Sequence, residues 1–337
     1  MPVLRNRVVF EVARGIKAFL GFEAGLTRGE VPPAPDGRIE RSRRETEPSR
    51  DDRAGSRASG LDPGKIVWIF GTGRSGSTWL MNMMAEMPHS SFWNEPKVGN
   101  LFGRFHEGAQ VGERNSANYI LGEPAREGWI PLIRNFVLGS ISHRRPRIGP
   151  NSYVIVKEPN ASVGATLLME ALPESRMVLL VRDPRDVVAS ALDAMRGGSW
   201  LFERRSRGDE SRESLADNDP DEAVKRRART YRRDIGHAKE AFDAHAGRKA
   251  LVRYEDLRRE PFETLRRVYE NLEIPFDEED LRAAVEKHSW ESIADEEKGE
   301  GKKLRKASPG GWRDDLTPEQ ARMIEEITGP LLREFYP

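Results

Sequence analysis

From Lys65 onward, short apolar runs alternate with stretches of helical periodicity. Ile66-Val67-Trp68-Ile69-Phe70 is an unbroken apolar run that stops at a glycine-rich turn, and a helical pattern follows to about Met87. Runs of this length and composition read as strands buried on both faces. Tyr153–Val156 and Met177–Val181 are two more, separated by a helical stretch at about 161–172, and a further helix starts near Arg185. A long charged helix at about 220–246 leads into a fourth strand, Lys249–Tyr254. The C-terminal third is helical, with Thr317-Pro318-Glu319 supplying an N-cap, a first-turn proline and an acidic first turn. The alternation predicts an α/β fold around a central, mostly parallel sheet.

The N-terminal region reads differently. Val3, Leu4, Val8, Val9, Val12, Ile16 and Phe19 recur at helical spacing among Arg5, Arg7, Arg14 and Lys17, which predicts an amphipathic helix within residues 1–27. Packing against the body of the protein or a partner is the first reading; a peripheral membrane contact through residues 3–22, with basic flanks, is the second. Residues 28–62 are charged, Pro- and Gly-rich and nearly devoid of large apolar groups, so they are expected to be a disordered linker. The main domain is then 63–337, with a mobile charged loop expected at 203–219.

Composition narrows the function. Lys+Arg and Asp+Glu both total 55 among 337 residues, so no net charge favours nucleic acid, and anion binding must come from local clusters. There are no cysteines, which excludes disulfides and thiolate chemistry and suits a cytoplasmic setting. No apolar run approaches the roughly 20 residues that span a bilayer. The six histidines lack metal-ligand spacing, and no metal site is expected.

Gly71-Thr72-Gly73-Arg74-Ser75-Gly76-Ser77-Thr78 lies between a strand and a helix, where backbone N–H groups and the helix dipole attract an anion. Its spacing is near that of the triphosphate-binding GxxxxGK[ST] loop, but Ser77 stands where the lysine would be. A kinase or ATPase reading loses its main chemical support there. Further along, Val178-Leu-Leu-Val-Arg182-Asp183-Pro184 is a strand running into a helix, with Ser190 about two turns beyond Arg182. An arginine and a hydroxyl so placed suit a phosphate monoester.

Gly73-Arg74-Ser75-Gly76-Ser77-Thr78-Trp79 resembles the 5′-phosphosulfate loop of sulfotransferases that use 3′-phosphoadenosine 5′-phosphosulfate (PAPS), in an arginine-containing variant. Arg182 and Ser190 resemble the same family's 3′-phosphate motif. Leu304-Arg305-Lys306-Ala307-Ser308-Pro309-Gly310-Gly311-Trp312 is similar to its RKG…GxW segment, with Ala307 in place of the glycine. The resemblance runs from Lys65 to the C-terminus and implies a P-loop-like three-layer α/β/α domain that binds PAPS and its product, adenosine 3′,5′-bisphosphate (PAP). It implies that Gly73 through Thr78 hold the 5′ end and that Arg182, Ser190, Arg305 and Lys306 hold the 3′-phosphate. Trp79 and Trp290 would cover the adenine, with Tyr254 close by.

The same resemblance implies the chemistry. Sulfuryl transfer needs in-line positioning, a base for the acceptor and cations for the oxygens that gain charge. Glu95, 21 residues after Arg74, matches the catalytic glutamate of the Golgi and tyrosylprotein branches; an apolar setting beside Phe92 and Trp93 would raise its pKa toward a base's working range. Lys157 would steady the transferring sulfonate and Arg74 the leaving phosphate. The histidine that follows the lysine in the cytosolic branch is absent; Glu158-Pro159 stands there, leaving Glu158 as the reserve base. The expected acceptor is a hydroxyl of a small molecule, glycan or lipid. A P-loop-type kinase and an inactive nucleotide-binding module remain the alternatives, and the oligomeric state stays open.

Overall fold

The computed structural model describes residues 61–108, 111–145, 149, 151–196, 198–200, 219–302 and 307–336. The expected N-terminal helix, all but the last two residues of the expected linker, the charged loop up to residue 218, and Arg305 and Lys306 lie outside the described residues. The first described residues already pack: Leu61 is buried, and the Asp62 carboxylate accepts the Gly64 N–H at 2.8 Å to cap the turn Pro63–Lys65.

Among the described residues a five-stranded sheet forms the centre, in the order β2-β3-β1-β4-β5. The strands are β1 (Ile66–Phe70), β2 (Ser90–Asn94), β3 (Tyr153–Lys157), β4 (Arg176–Val181) and β5 (Lys249–Arg253), and every pairing is parallel. β1, β3 and β4 are the apolar runs of the sequence, buried on both faces as parallel strands between helical layers must be.

The alternation of side chains along β1 separates two cores. Ile66, Trp68 and Phe70 face helices α2 (Arg126–Arg144), α3 (Ala165–Ala171) and α5 (Pro220–Ala244). Val67 and Ile69 face α1 (Ser77–Glu86) and the helices α6 (Tyr254–Arg259), α7 (Pro261–Asn271) and α8 (Glu278–Lys287). The result is the expected three-layer α/β/α arrangement. A smaller core joins α5 to α4 (Pro184–Met195) and the last helix, α9 (Pro318–Phe335). α9 begins on a full capping box between Thr317 and Gln320.

Three elements differ from the sequence reading. The stretch at 161–172 is a 3-10 segment, Pro159–Gly164, followed by α3, with the break at Ala161 (φ −129°). The backbone of Gly99 lies against this break: a Cβ there would stand 2.1 Å from the Ala161 carbonyl oxygen. The sequence pattern predicts neither strand β2 nor helix α2.

The register aligns the C-terminal ends of the strands. Asn94 and Ile69 both pair with Lys157, and Val181 pairs with Arg253. Gly71, Glu95, Arg182 and Tyr254 therefore all leave the sheet at one edge, where its connections diverge on either side of β1 and open α/β sheets bind their ligands.

Candidate active site

The turn after β1 is shaped by its backbone. Gly76 caps α1 with φ +89°, and a Cβ there would lie 2.6 Å from the Tyr254 ring. Position 76 needs glycine on both counts. Arg74 is also left-handed, at φ +71°. The Ser162 hydroxyl braces the turn, donating to the Gly71 carbonyl at 2.7 Å. Ser75 is fully buried and its hydroxyl donates to the Thr72 carbonyl at 2.7 Å, so that side chain is committed to the loop itself.

Beside the turn lies a cavity of about 870 Å³. Its wall includes Arg74, Gly76, Ser77, Thr78 and Trp79 from the first motif, and Arg182 and Ser190 from the second. The two arginines meet: Arg182 donates to the Arg74 carbonyl at 3.0 Å, and the Arg74 Nε donates to the Ser190 hydroxyl at 3.0 Å. Arg74 thus reaches toward the second motif. Arg182 is buried, with its guanidinium 4.2 Å from the centre of the Tyr254 ring, and its Nε–H has no hydrogen-bond partner among the described residues. A buried orphan donor is costly and suits an incoming anion. Tyr254, Trp79 and Trp290 also line the cavity. Trp79 meets Tyr254 edge-on at 6.4 Å, and its indole N–H donates to the His288 carbonyl at 2.7 Å.

Glu95 and Lys157 stand next to this cavity and connect to it through Thr78. The Lys157 ammonium donates to the Thr78 hydroxyl at 2.9 Å and pairs with the Glu95 carboxylate at 2.8 Å. Lys157 is nearly inaccessible, whereas 28% of the Glu95 side chain is exposed. Glu95 has φ +49°, its N–H donates to the Lys157 carbonyl at 2.9 Å, and its carboxylate accepts from the Lys157 ammonium at 2.8 Å. Glu158, the reserve base, is buried, and its Oε1 accepts the Val98 N–H at 2.8 Å. Burial pushes its carboxyl up to about 8.

Two residues not singled out in the sequence belong to the same surroundings. Arg258 lines the cavity and donates to the Ala307 carbonyl at 3.1 Å; its signal was the four-residue spacing from Tyr254 along one helix face. Asp186 is buried, and its two carboxylate oxygens accept the N–H groups of Gly310 at 2.8 Å and Trp312 at 3.0 Å. It ties the Gly-Gly-Trp segment to α4, the helix that carries Ser190. Ala307 and Ser308 complete that wall, while Arg305 and Lys306 fall outside the described residues. Asp183 pairs with Arg185 at 2.6 Å rather than with Arg182.

The family model described as the sulfotransferase family matches residues 67–278. Among solved structures, sulfotransferase STF9 from Mycobacterium avium is 15% identical, over 81% of this chain and 77% of that chain, with a TM-score of 0.52, a likeness of fold. Mouse sulfotransferase SULT7A1, complexed with PAP, is 14% identical over 80% and 85%, with a TM-score of 0.44. The sulfotransferase domain of the Synechococcus PCC 7002 olefin synthase is 20% identical over 77% and 93%, with a TM-score of 0.43. No curated protein matches the chain.

Proposed function

The chain belongs to the sulfotransferase family, whose model covers more than half of it, and on that premise we propose that it moves the sulfonate of PAPS to an acceptor hydroxyl with Glu95 as the base. The acceptor is a small molecule, a glycan or a lipid, and the reaction is placed in the cytoplasm. One observation carries this reading. The single ammonium of Lys157 touches both Thr78, on the cavity wall, and Glu95, beside it.

The residues present fit the nucleotide. Arg182, with its orphan Nε–H, and the Ser190 hydroxyl offer the donors a phosphate monoester requires. Trp79, Tyr254 and Trp290 offer aromatic faces for a base. When bound, PAPS supplies a sulfonate already activated by its link to phosphate. The N-terminus of α1, with Gly73, Ser77 and Thr78, attracts the anion at the 5′ end. Arg74 is assigned first to the phosphate near Ser190, which its Nε already reaches, and from there adds charge to the leaving side.

Glu95 takes the acceptor's proton at its carboxylate. Lys157 orients that carboxylate and brings a positive charge to the oxygens around the transferring group. With this many fixed cations the reaction is expected to run in the presence of a chelator. Calorimetry tests the reading: PAP binds without metal and ATP does not, and labelled sulfonate from PAPS reaches a hydroxyl acceptor. ATP- and magnesium-dependent phosphate transfer would establish a kinase instead. PAP binding with no transfer across a broad acceptor panel would establish an inactive module.

A further inference from the structure

The turn that carries Glu95 is costly to hold. Glu95 has φ +49° and Lys97 has φ +62°, both in the left-handed region that L side chains avoid. Two such residues flanking Pro96 persist only where the surroundings fix them. The Glu95 N–H is tied to the Lys157 carbonyl. On the far side of Pro96 the chain enters the segment Asn100–Arg104. The group that meets it there is the Glu158 carboxyl. Its Oε1 accepts the Val98 N–H at 2.8 Å, and the N–H groups of Lys97 and Gly99 add smaller attractions.

Glu158 is itself fixed. It follows β3 directly, its N–H donates to the Ile69 carbonyl at 2.9 Å, and its carbonyl accepts from Ala161 at 3.0 Å. It is 1% exposed, and it is absent from the wall of the large cavity. A general base must reach a substrate proton, and a buried carboxyl bonded to the backbone is poorly placed to do so.

We infer that Glu158 is a positioning residue: its carboxyl holds the backbone at 97–99 and so keeps the strained Glu95 turn in register with Lys157. The inference rests on the reading of Glu95 as the base. Because burial pushes the Glu158 carboxyl up to about 8, the group is largely protonated at neutral pH and accepts N–H groups through a carbonyl oxygen. Glutamine keeps that oxygen. Aspartate keeps the acid but withdraws its oxygens by one methylene.

The two roles therefore predict opposite orders. As a positioning residue, Glu158→Gln keeps kcat within about threefold, while Glu158→Asp and Glu158→Ala lower it about 10- to 100-fold, the scale of a misplaced catalytic group. KM for PAPS and Kd for PAP stay unchanged in all three, and the unchanged Kd also reports that each variant is folded. In a Glu95→Gln background the further loss from Glu158→Asp disappears, because the group it positions is already gone.

If Glu158→Gln is inactive while Glu158→Asp keeps activity, Glu158 is the acid or base and the inference is overturned. An equal loss from Glu158→Asp in both backgrounds overturns it as well, with Glu95 still the base. Full turnover by Glu95→Gln alone is a separate failure: it removes the base assignment, and this inference with it. Should the alanine variant fail to bind PAP, the order of the glutamine and aspartate variants decides.

Discussion

The two sides of the cavity mouth are held by different means. On the Arg182 side the backbone is regular: β4 ends, Asp183 caps α4 by accepting the Arg185 N–H at 2.8 Å, Pro184 opens the helix, and Ser190 follows on it. Several donors converge there, among them Arg74, Arg182, Arg258 and Ser190. On the Glu95 side one carboxylate and one ammonium meet on a left-handed turn held from behind by a buried acid. A site built from many donors weakens by degrees when one is lost. A site built from one pair fails when either member moves.

That contrast breaks most sharply at Glu95. Glu95→Gln is expected to lower kcat about 10²- to 10⁴-fold, the usual worth of a general base, with PAP affinity unchanged by calorimetry. A comparable loss of PAP affinity would erase the distinction between the two sides. Arg182→Ala sharpens it from the other direction. Removing one charged, buried donor is expected to weaken PAP about 10- to 100-fold, with kcat at saturating PAPS less affected than in Glu95→Gln.

A smaller effect separates the sides by pH. Glu158 holds its proton in the folded protein up to about 8, above its ordinary value of 4.5. Between those values the folded state binds more protons than the unfolded one, so stability declines as pH rises from about 4.5 toward 8. The melting temperature of the wild type should fall more steeply across that window than that of Glu158→Gln. Parallel curves would refute the burial argument. The smallest effect belongs to Ala307, which holds a left-handed φ of +49°. Ala307→Gly is expected to raise the unfolding free energy by about 0.5–1 kcal/mol, since relief of the left-handed strain exceeds the added chain entropy. Denaturant titration measures it.

The same division marks what the sequence made legible. β1, β3 and β4 are apolar on both faces, so their composition revealed them; the cavity residues Arg74, Arg182 and Ser190 follow from motifs after β1 and β4, whereas Tyr254, after β5, and Trp290, beyond α8, were reached only through the family resemblance. β2 is the edge strand Ser-Ser-Phe-Trp-Asn, only partly buried, without the apolar run that marks its neighbours. Helix α2 hid because Gly128, Pro131 and Gly139 interrupt its pattern. The contact between Glu95 and Lys157 spans 62 residues and exists because Asn94 pairs with Lys157 in the sheet. Register between an unrecognised edge strand and a recognised central one is not a local property of either segment. Nor did Asp186 advertise its hold on Gly310 and Trp312, for an aspartate in a helix's first turn reads simply as favourable to the dipole.

The family match stops at residue 278, yet His288, Trp290, Ala307 and Ser308 line the cavity. Trp79 is bonded to the His288 carbonyl, and Asp186 holds Gly310 and Trp312 from below. A truncation drawn at the boundary of recognisable similarity would keep every described strand of the sheet and remove one flank of the cavity. For this chain the working enzyme extends past the part that its ancestry makes easy to see.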